Sequence, residues 1–149
     1  MRTILSLILI LTVPVLIPAC HHGNDPGQEQ QEENSPRVVR KMNEHGILSS
    51  LNPVDEQGYV HGVKVNYYED GVTVHSRVTY VHGRKHGPAI WYFKSGKIYE
   101  ETNYYQNRKN GITRRYYETG ELYEEITYDT GEELPGKKRY NKDGTLITP

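Results

Sequence analysis

Hydrophobic and polar residues alternate in short runs along this chain, and the runs return at a fixed interval. From Pro88 to Lys94, Ile90 and Tyr92 fall on one side while Trp91 and Phe93 fall on the other. Side chains two apart share a face of a strand, so this run predicts a β-strand with aromatic rings on both faces. It ends at Ser95–Gly96, and Asp70–Gly71, Thr119–Gly120 and Asp143–Gly144 hold the same place in sister segments. A small polar residue followed by glycine between two strand-like runs predicts a hairpin, because glycine takes positive φ without steric cost. The returning strand is KIYEETNY at 97–104, matched by ELYEEITY at 121–128 and more loosely by TVHSRVTY at 73–80. No apolar 3.6-residue period survives more than one turn, which argues against helices.

The segments GVKVNYYEDG (62–71), GPAIWYFKSG (87–96), GITRRYYETG (111–120) and GKKRYNKDG (136–144) are variants of one unit. Their closing glycines, Gly71, Gly96, Gly120 and Gly144, are 25, 24 and 24 residues apart, and Gly46 lies 25 residues before Gly71. A fixed period in this range marks a repeat architecture. The predicted fold is all-β: an elongated, single-layer antiparallel meander of tandem β-hairpins over residues 38–147, with 24–25 residues per unit. Aligned on their final tyrosines, the return strands place Val74, Ile98 and Leu122 in one column. Val78, Thr102 and Ile126 form a second on the same face, and Tyr80, Tyr104 and Tyr128 a third. This predicts one apolar stripe that each hairpin buries only with its neighbours. The loops 81–87 and 105–111 are equivalent, with Gly83 at the place of Asn107, two residue types that tolerate a left-handed backbone. The first and last units are degenerate, as end units that cover an edge should be.

The chain has 13 tyrosines against one phenylalanine. Tyrosine suits a thin sheet, since each ring buries roughly 150–250 Å² while its hydroxyl reaches water. A formal net charge of −1 gives no overall basic field, which argues against a nucleic-acid partner. The clusters Arg84–Lys85, Arg108–Lys109 and Lys137–Lys138–Arg139 read as solvated loop and strand-end charges.

The chain opens MRTILSLILILTVPVLIPAC, with Arg2 followed by an apolar stretch from Ile4 to Leu16. That is the layout of a secretory signal peptide, expected over residues 1–19, and it falls short of the ~20 residues of a membrane span. Ile17, Pro18 and Ala19 are similar to a bacterial lipobox, with a branched aliphatic, a variable and a small residue before the modified cysteine. Cys20 is the single cysteine, and lipidation is the favoured reading of it; the other is an uncleaved N-terminal anchor with an idle thiol. Lipidation makes the membrane a partner through Cys20 and places the chain in the bacterial cell envelope, outside the cytoplasm, at the outer membrane if the cell is Gram-negative. Residues 21–36 hold two prolines, four acidic residues and no aliphatic or aromatic residue, so 20–37 is expected to be a disordered polar tether. His21 and His22 within it read as solvated side chains rather than metal ligands.

Catalysis needs acid–base, nucleophilic or metal groups converging from different parts of the chain. Here the candidates dissolve into repeat positions. His61 and His86 precede unit-opening glycines where the third unit has Asn110, and His82 and His86 are four apart in a loop rather than on a helix. Glu100–Glu101 and Glu124–Glu125 recur as a ladder, with Glu101 and Glu125 expected outward and solvated. No phosphate-binding glycine loop and no G-x-S-x-G occurs. The expectation is a non-enzymatic protein with no metal and no cofactor. Its candidate binding face is aromatic: Tyr68, Trp91, Phe93 and Tyr117, with Tyr99 and Tyr123 24 residues apart. Exposed tyrosine and tryptophan dominate many interfaces, although such rings also pack across neighbouring strands.

The unit G-x-x-x-x-Y-Y-x-x-G-x-L-x-x-E-x-x-Y-x-x-G/N-x-x-x-G is carried here by Gly87–Gly96, Gly111–Gly120, Ile98, Leu122, Glu100, Glu101, Glu124, Glu125 and the tyrosines. It resembles the MORN-variant repeat of bacterial proteins, many of them grouped as YwqK-type toxin–antitoxin antitoxin components. The resemblance covers residues 58–147 well and 38–57 weakly. It implies a repeated hairpin sheet with a binding or scaffolding role. The expected partner is an unidentified envelope protein; the alternatives are a cognate toxin that the chain neutralises, and glycan or lipid headgroups.

Overall fold

The computed structural model describes residues 36–147. The expected signal peptide, Cys20 and the tether as far as residue 35 lie outside the described residues. The strands are β1 (Arg37–Met42), β2 (Leu48–Val54), β3 (Gly62–Tyr67), β4 (Val74–Val81), β5 (Arg84–Tyr92), β6 (Ile98–Tyr105), β7 (Arg108–Lys109), β8 (Gly111–Tyr116), β9 (Leu122–Asp129), β10 (Glu132–Glu133), β11 (Lys138–Tyr140) and β12 (Leu146–Ile147). They form one open sheet in the order β1-β2-β3-β4-β5-β6-β8-β9-β11-β12, with β7 on β6 and β10 on β9. Every pairing is antiparallel, and among the described residues there is no helix. The all-β meander anticipated from the period is the fold observed.

Two kinds of turn alternate along the meander. At one end the loop closes on a glycine: the Gly96 N–H bonds the Phe93 carbonyl, and the Phe93 N–H bonds the Lys97 carbonyl. The loop is thus the three residues Lys94–Ser95–Gly96, with Gly96 at φ +83°, rather than Ser95–Gly96 alone. This is a tight turn followed by a left-handed glycine, a common hairpin closure. The same bonds recur around Gly46, Gly120 and Gly144, and also around Gly58, whose turn the sequence reading missed. At Gly71 the loop is one residue longer, since the Tyr68 N–H bonds Thr73. The added residue is Val72, 79% exposed, and it accounts for the 25-residue step from Gly71 to Gly96. The Asp70 carboxylate holds the longer loop by accepting from the Val72 and Thr73 N–H groups and the Thr73 hydroxyl.

At the other end the turns are two residues long, and both residues have positive φ: His82–Gly83, Gln106–Asn107 and Thr130–Gly131. The left-handed preference read from Gly83 and Asn107 is therefore realised. Each turn also ties back to the unit before it, through Gly83 N–H to Val60, Asn107 N–H to Lys85 and Gly131 N–H to Lys109 carbonyls.

The column arithmetic needs correction at one place in each unit. The register slips between Asn66 and Tyr67, Trp91 and Tyr92, and Arg115 and Tyr116, so that Tyr67, Tyr92 and Tyr116 face Val74, Ile98 and Leu122. The bulged residues are His75, Tyr99 and Tyr123. A bulge inserts one side chain into the alternation and flips the parity beyond it. Val74, Ile98 and Leu122 therefore lie on the face opposite Val78, Thr102 and Ile126, not on the same one.

The centre of the sheet is buried on a single face, called the front. By register this face carries Ser50, Asn66, Ser76, Trp91, Glu100, Arg115, Glu124 and Arg139 along one row. The next row holds Val78, Ala89, Thr102, Thr113 and Ile126, all buried. Two threonines interrupt the second row, so it is not a continuous apolar stripe; the Thr102 and Thr113 hydroxyls satisfy each other by a hydrogen bond. Short side chains here lie between longer ones on adjacent strands. A single layer can bury its middle this way because long polar chains cover neighbours with their methylene stems.

Candidate interaction face

The front-face row becomes a chain of ions from β6 onward. Glu100 accepts from the Arg115 Nε (2.7 Å) and the Lys109 Nζ (2.7 Å), one on each oxygen. Arg115 also donates through Nη1 to Glu124 (2.8 Å), whose other oxygen accepts from the Arg139 Nε (2.8 Å). Glu124 is 1% exposed and Glu100 7%. A buried carboxylate is tolerated only when paired and hydrogen-bonded, and both oxygens of both residues are engaged. Burial pushes the Glu124 carboxyl up, but the Arg139 hydrogen bond and the charges of Arg115, Lys137 and Arg139 outweigh it and hold it below the usual range. Arg115 is raised, chiefly by its bond to Glu100. Lys109 and Arg139, read from the sequence as solvated strand-end charges, are ladder members.

The back face carries a smaller counterpart. Arg114 Nε bonds Glu125 (3.1 Å), Lys138 lies 3.6 Å from the same carboxylate, and the Tyr116 hydroxyl donates to Glu101. Burial, that hydrogen bond and the Glu101 charge push Tyr116 up to about 12. Glu101 and Glu125 are thus half-buried and paired, not solvated. Opposite-charge groups directly across from one another on a sheet stabilise it, which is why the recurring glutamates face recurring arginines.

The predicted aromatic residues fall into ring pairs. Tyr68 meets His75 (centroids 4.9 Å), Phe93 meets Tyr99 (5.2 Å) and Tyr117 meets Tyr123 (5.1 Å), all edge to face. Each pair joins the last residue before a glycine loop to the bulged residue after it. Two of them reach the next hairpin: the Tyr68 hydroxyl donates to the Tyr92 carbonyl and the Tyr117 hydroxyl to the Tyr140 carbonyl. Phe93 holds the same position without a hydroxyl. Tyr99 lies near Arg115 and Tyr123 near Arg139. Trp91 stands apart, half-buried on the front face, its ring 6.4 Å from Tyr104. The structure thus sets Phe93, Tyr99, Tyr117 and Tyr123 as two ring pairs beside the ladder, Tyr68 in a third pair with His75 after β3, and Trp91 by itself, none fully buried.

A third front-face row alternates tyrosine and lysine: Tyr80, Lys85, Tyr104, Lys109, Tyr128. The Lys85 ammonium lies 4.9 Å from the Tyr104 ring centre and Lys109 5.3 Å from Tyr128. Such cation–ring contacts are attractive and leave an ammonium free to take an anion as well. His82, in the turn, bonds Asp55 (2.8 Å) and sets its ring at a tilt to Tyr59, while His86, expected in the loop, lies within β5 and packs on Tyr105. The pairing of the recurring glutamates with Arg115 and Arg139, and of the tyrosine column with Lys85 and Lys109, was not read from the sequence. Their signal was there, in the 24-residue recurrence of Arg115 and Arg139 and of Glu100 and Glu124.

The fold and this face together define an open repeat sheet whose recurring units present charged and aromatic side chains on one surface. Residues 85–107 and 109–130 match the MORN repeat variant family, so two adjacent central units carry that repeat. No curated protein matches the chain, and no solved structure does.

Proposed function

We propose that this chain is a non-catalytic binding module of the bacterial cell envelope, tethered to a membrane by lipid on Cys20, whose repeat sheet holds another envelope protein. The carrying observation is the front face: a rigid, hydrogen-bonded array bordered by partly exposed rings at Trp91, Phe93, Tyr99, Tyr117 and Tyr123, on an open sheet. Rigid aromatic side chains give large contact area at low entropic cost, and repeat sheets build extended surfaces rather than enclosed pockets. MORN-type repeats serve generally as modules that bind proteins or membranes, and the two matched units agree with that role.

The test is a cross-linked pull-down of the full chain from its native envelope. One dominant, saturable partner is expected, and it should be lost when Trp91 and Tyr117 are replaced by alanine in a protein that keeps its β-sheet spectrum. An empty catch, or a partner indifferent to both substitutions, overturns the reading. A partner that is itself a secreted toxin turns the module into an immunity protein.

A further inference from the structure

The strand order leaves β1 with a neighbour on one side: it pairs with β2, and among the described residues no strand lies beyond it. Antiparallel partners alternate between residues that exchange backbone hydrogen bonds and residues that do not. Val38 stands across from Pro53, which has no N–H and whose carbonyl accepts from the His61 N–H on the side of β3. The bonded partners are therefore Arg37 with Val54, Val39 with Asn52 and Lys41 with Ser50. Val38 and Arg40 consequently aim their backbone N–H and C=O groups away from β2, spaced to receive another strand.

The charged side chains along this edge share one sign. Arg37 and Lys41 lie on the front face, across from Val54 and Ser50, and Arg40 lies on the back, across from Leu51. Among the described residues, none of the three comes within ion-pair distance of a carboxylate. Val38 and Met42, on the back beside Arg40, are 51% and 55% exposed, so the edge is open to contact. The positive charge reaches inward as well: burial and the charges of Lys41 and Lys85 lower the Lys64 pKa. Further along the sheet, strand arginines stand directly across from glutamates: Arg114 from Glu101 and Glu125, Arg115 from Glu100 and Glu124, Arg139 from Glu124. On β1 the facing strand offers only Val54, Leu51 and Ser50, so strand carboxylates can come only from the open side.

We propose that β1 is a docking edge for an extended acidic segment of a partner protein, which adds a strand to the sheet and sets its carboxylates against Arg37, Arg40 and Lys41. The proposal rests on the reading of the chain as a protein-binding module and names the chemistry of the segment it binds. Main-chain hydrogen bonds to Val38 and Arg40 supply affinity, and the alternating side chains supply the choice of partner. A second copy of β1 does not fit. The antiparallel register that overlaps two copies most sets Val38 across from Arg40, and so sets Arg37 across from Lys41 at both ends. Like charges directly opposite one another destabilise a sheet. The cations thus protect the bare edge from indiscriminate pairing and admit a strand that carries carboxylates.

The full chain is titrated with the labelled peptide acetyl-Thr-Glu-Val-Glu-Val-Glu-Val-Thr-amide, followed by fluorescence anisotropy, and with the same peptide carrying lysine for glutamate. Saturable binding of the glutamate peptide alone is expected, weakening as salt rises. It should slow amide exchange at Val38 and Arg40, whose N–H groups point outward, and leave Val39 and Lys41 as they were. Two variants should bind it at least about tenfold more weakly. Val38→Pro deletes an outward N–H but no bond to β2, while Arg37→Gln with Arg40→Gln and Lys41→Gln keeps the backbone edge and removes its charge. Both are checked for the wild-type β-sheet spectrum. No saturable binding overturns the proposal, whether the edge is inert or is held by the chain's own Glu29, Glu32 and Glu33. So does equal binding of the lysine peptide, or undiminished binding by either folded variant. A dimer that Val38→Pro disperses, or binding of phosphatidylglycerol vesicles, in place of peptide binding also overturns it. Undiminished capture of the envelope partner by the peptide-negative variants overturns this edge alone and leaves the binding-module reading standing. An empty catch from the envelope with peptide binding intact strikes the module reading and not the edge.

Discussion

At the residue scale, the front-face glutamates carry the largest electrostatic consequence. Glu124→Gln leaves Arg115 and Arg139 without their shared anion, and roughly 3 kcal/mol of stability should be lost, as when one partner of a buried pair is removed. Urea unfolding at neutral pH measures it. Because the folded Glu124 is depressed below its ordinary value of 4.5, its contribution is present above that pH and fades as the pH falls through the folded pKa. The wild type should therefore lose stability on acidification below about pH 4.5 more steeply than Glu124→Gln, and parallel curves would show that Glu124 is not the group responsible. The tyrosine braces offer the opposite test. Phe93→Tyr places a hydroxyl where Tyr68 and Tyr117 already bond the following hairpin, and it is expected to raise stability by about 1 kcal/mol. Tyr117→Phe should lower it by a similar amount, seen in the same denaturation series.

At the element scale, the hairpins are set by loops that close on left-handed glycines. A Cβ at Gly96 meets open space, so Gly96→Ala suffers only the backbone strain, about 1 kcal/mol. At Gly71 a Cβ would lie 2.6 Å from the Ile47 Cγ2, and Gly71→Ala should lose measurably more, because the side chain also presses on the adjacent hairpin. Thermal unfolding of the two variants side by side decides it; equal losses would mean that the neighbour yields freely. The bulge is the other device of the element. It aims Tyr99 and Tyr123 at their ring partners and turns Ile98 and Leu122 to the back face. Strict alternation cannot reveal it, since the extra residue emerges only when two strands are set in register.

At the scale of the whole molecule, a sheet of this kind is held by neighbour-to-neighbour ties, and among the described residues no second layer covers it. Units sharing more ties should open last. The ion ladder joins β6, β8, β9 and β11, and the turn tips bond each unit to the one before. Amide exchange is therefore expected to be slowest in β4, β5, β6, β8 and β9 and fastest in β1 and the two-residue β12. Uniform protection across all strands would show that the sheet opens only as a single block.

Much of this was legible in the sequence because periodicity survives translation into structure. The 24-residue spacing of glycines and tyrosines determined the strand content, the hairpin order, the antiparallel meander and the left-handed turn positions, since each follows from local backbone preference repeated in phase. Side-chain pairing was not legible, because it depends on which residues of different strands stand opposite one another. The bulges displaced that register by one residue per hairpin. As a result Val74, Ile98 and Leu122 changed face, Glu101 and Glu125 gained partners, and Tyr68 and Tyr117 came to brace the following hairpin. The ladder through Glu100, Arg115, Glu124 and Arg139 was decided only when the strands were laid together, because a carboxylate is buried or solvated according to the cations that face it.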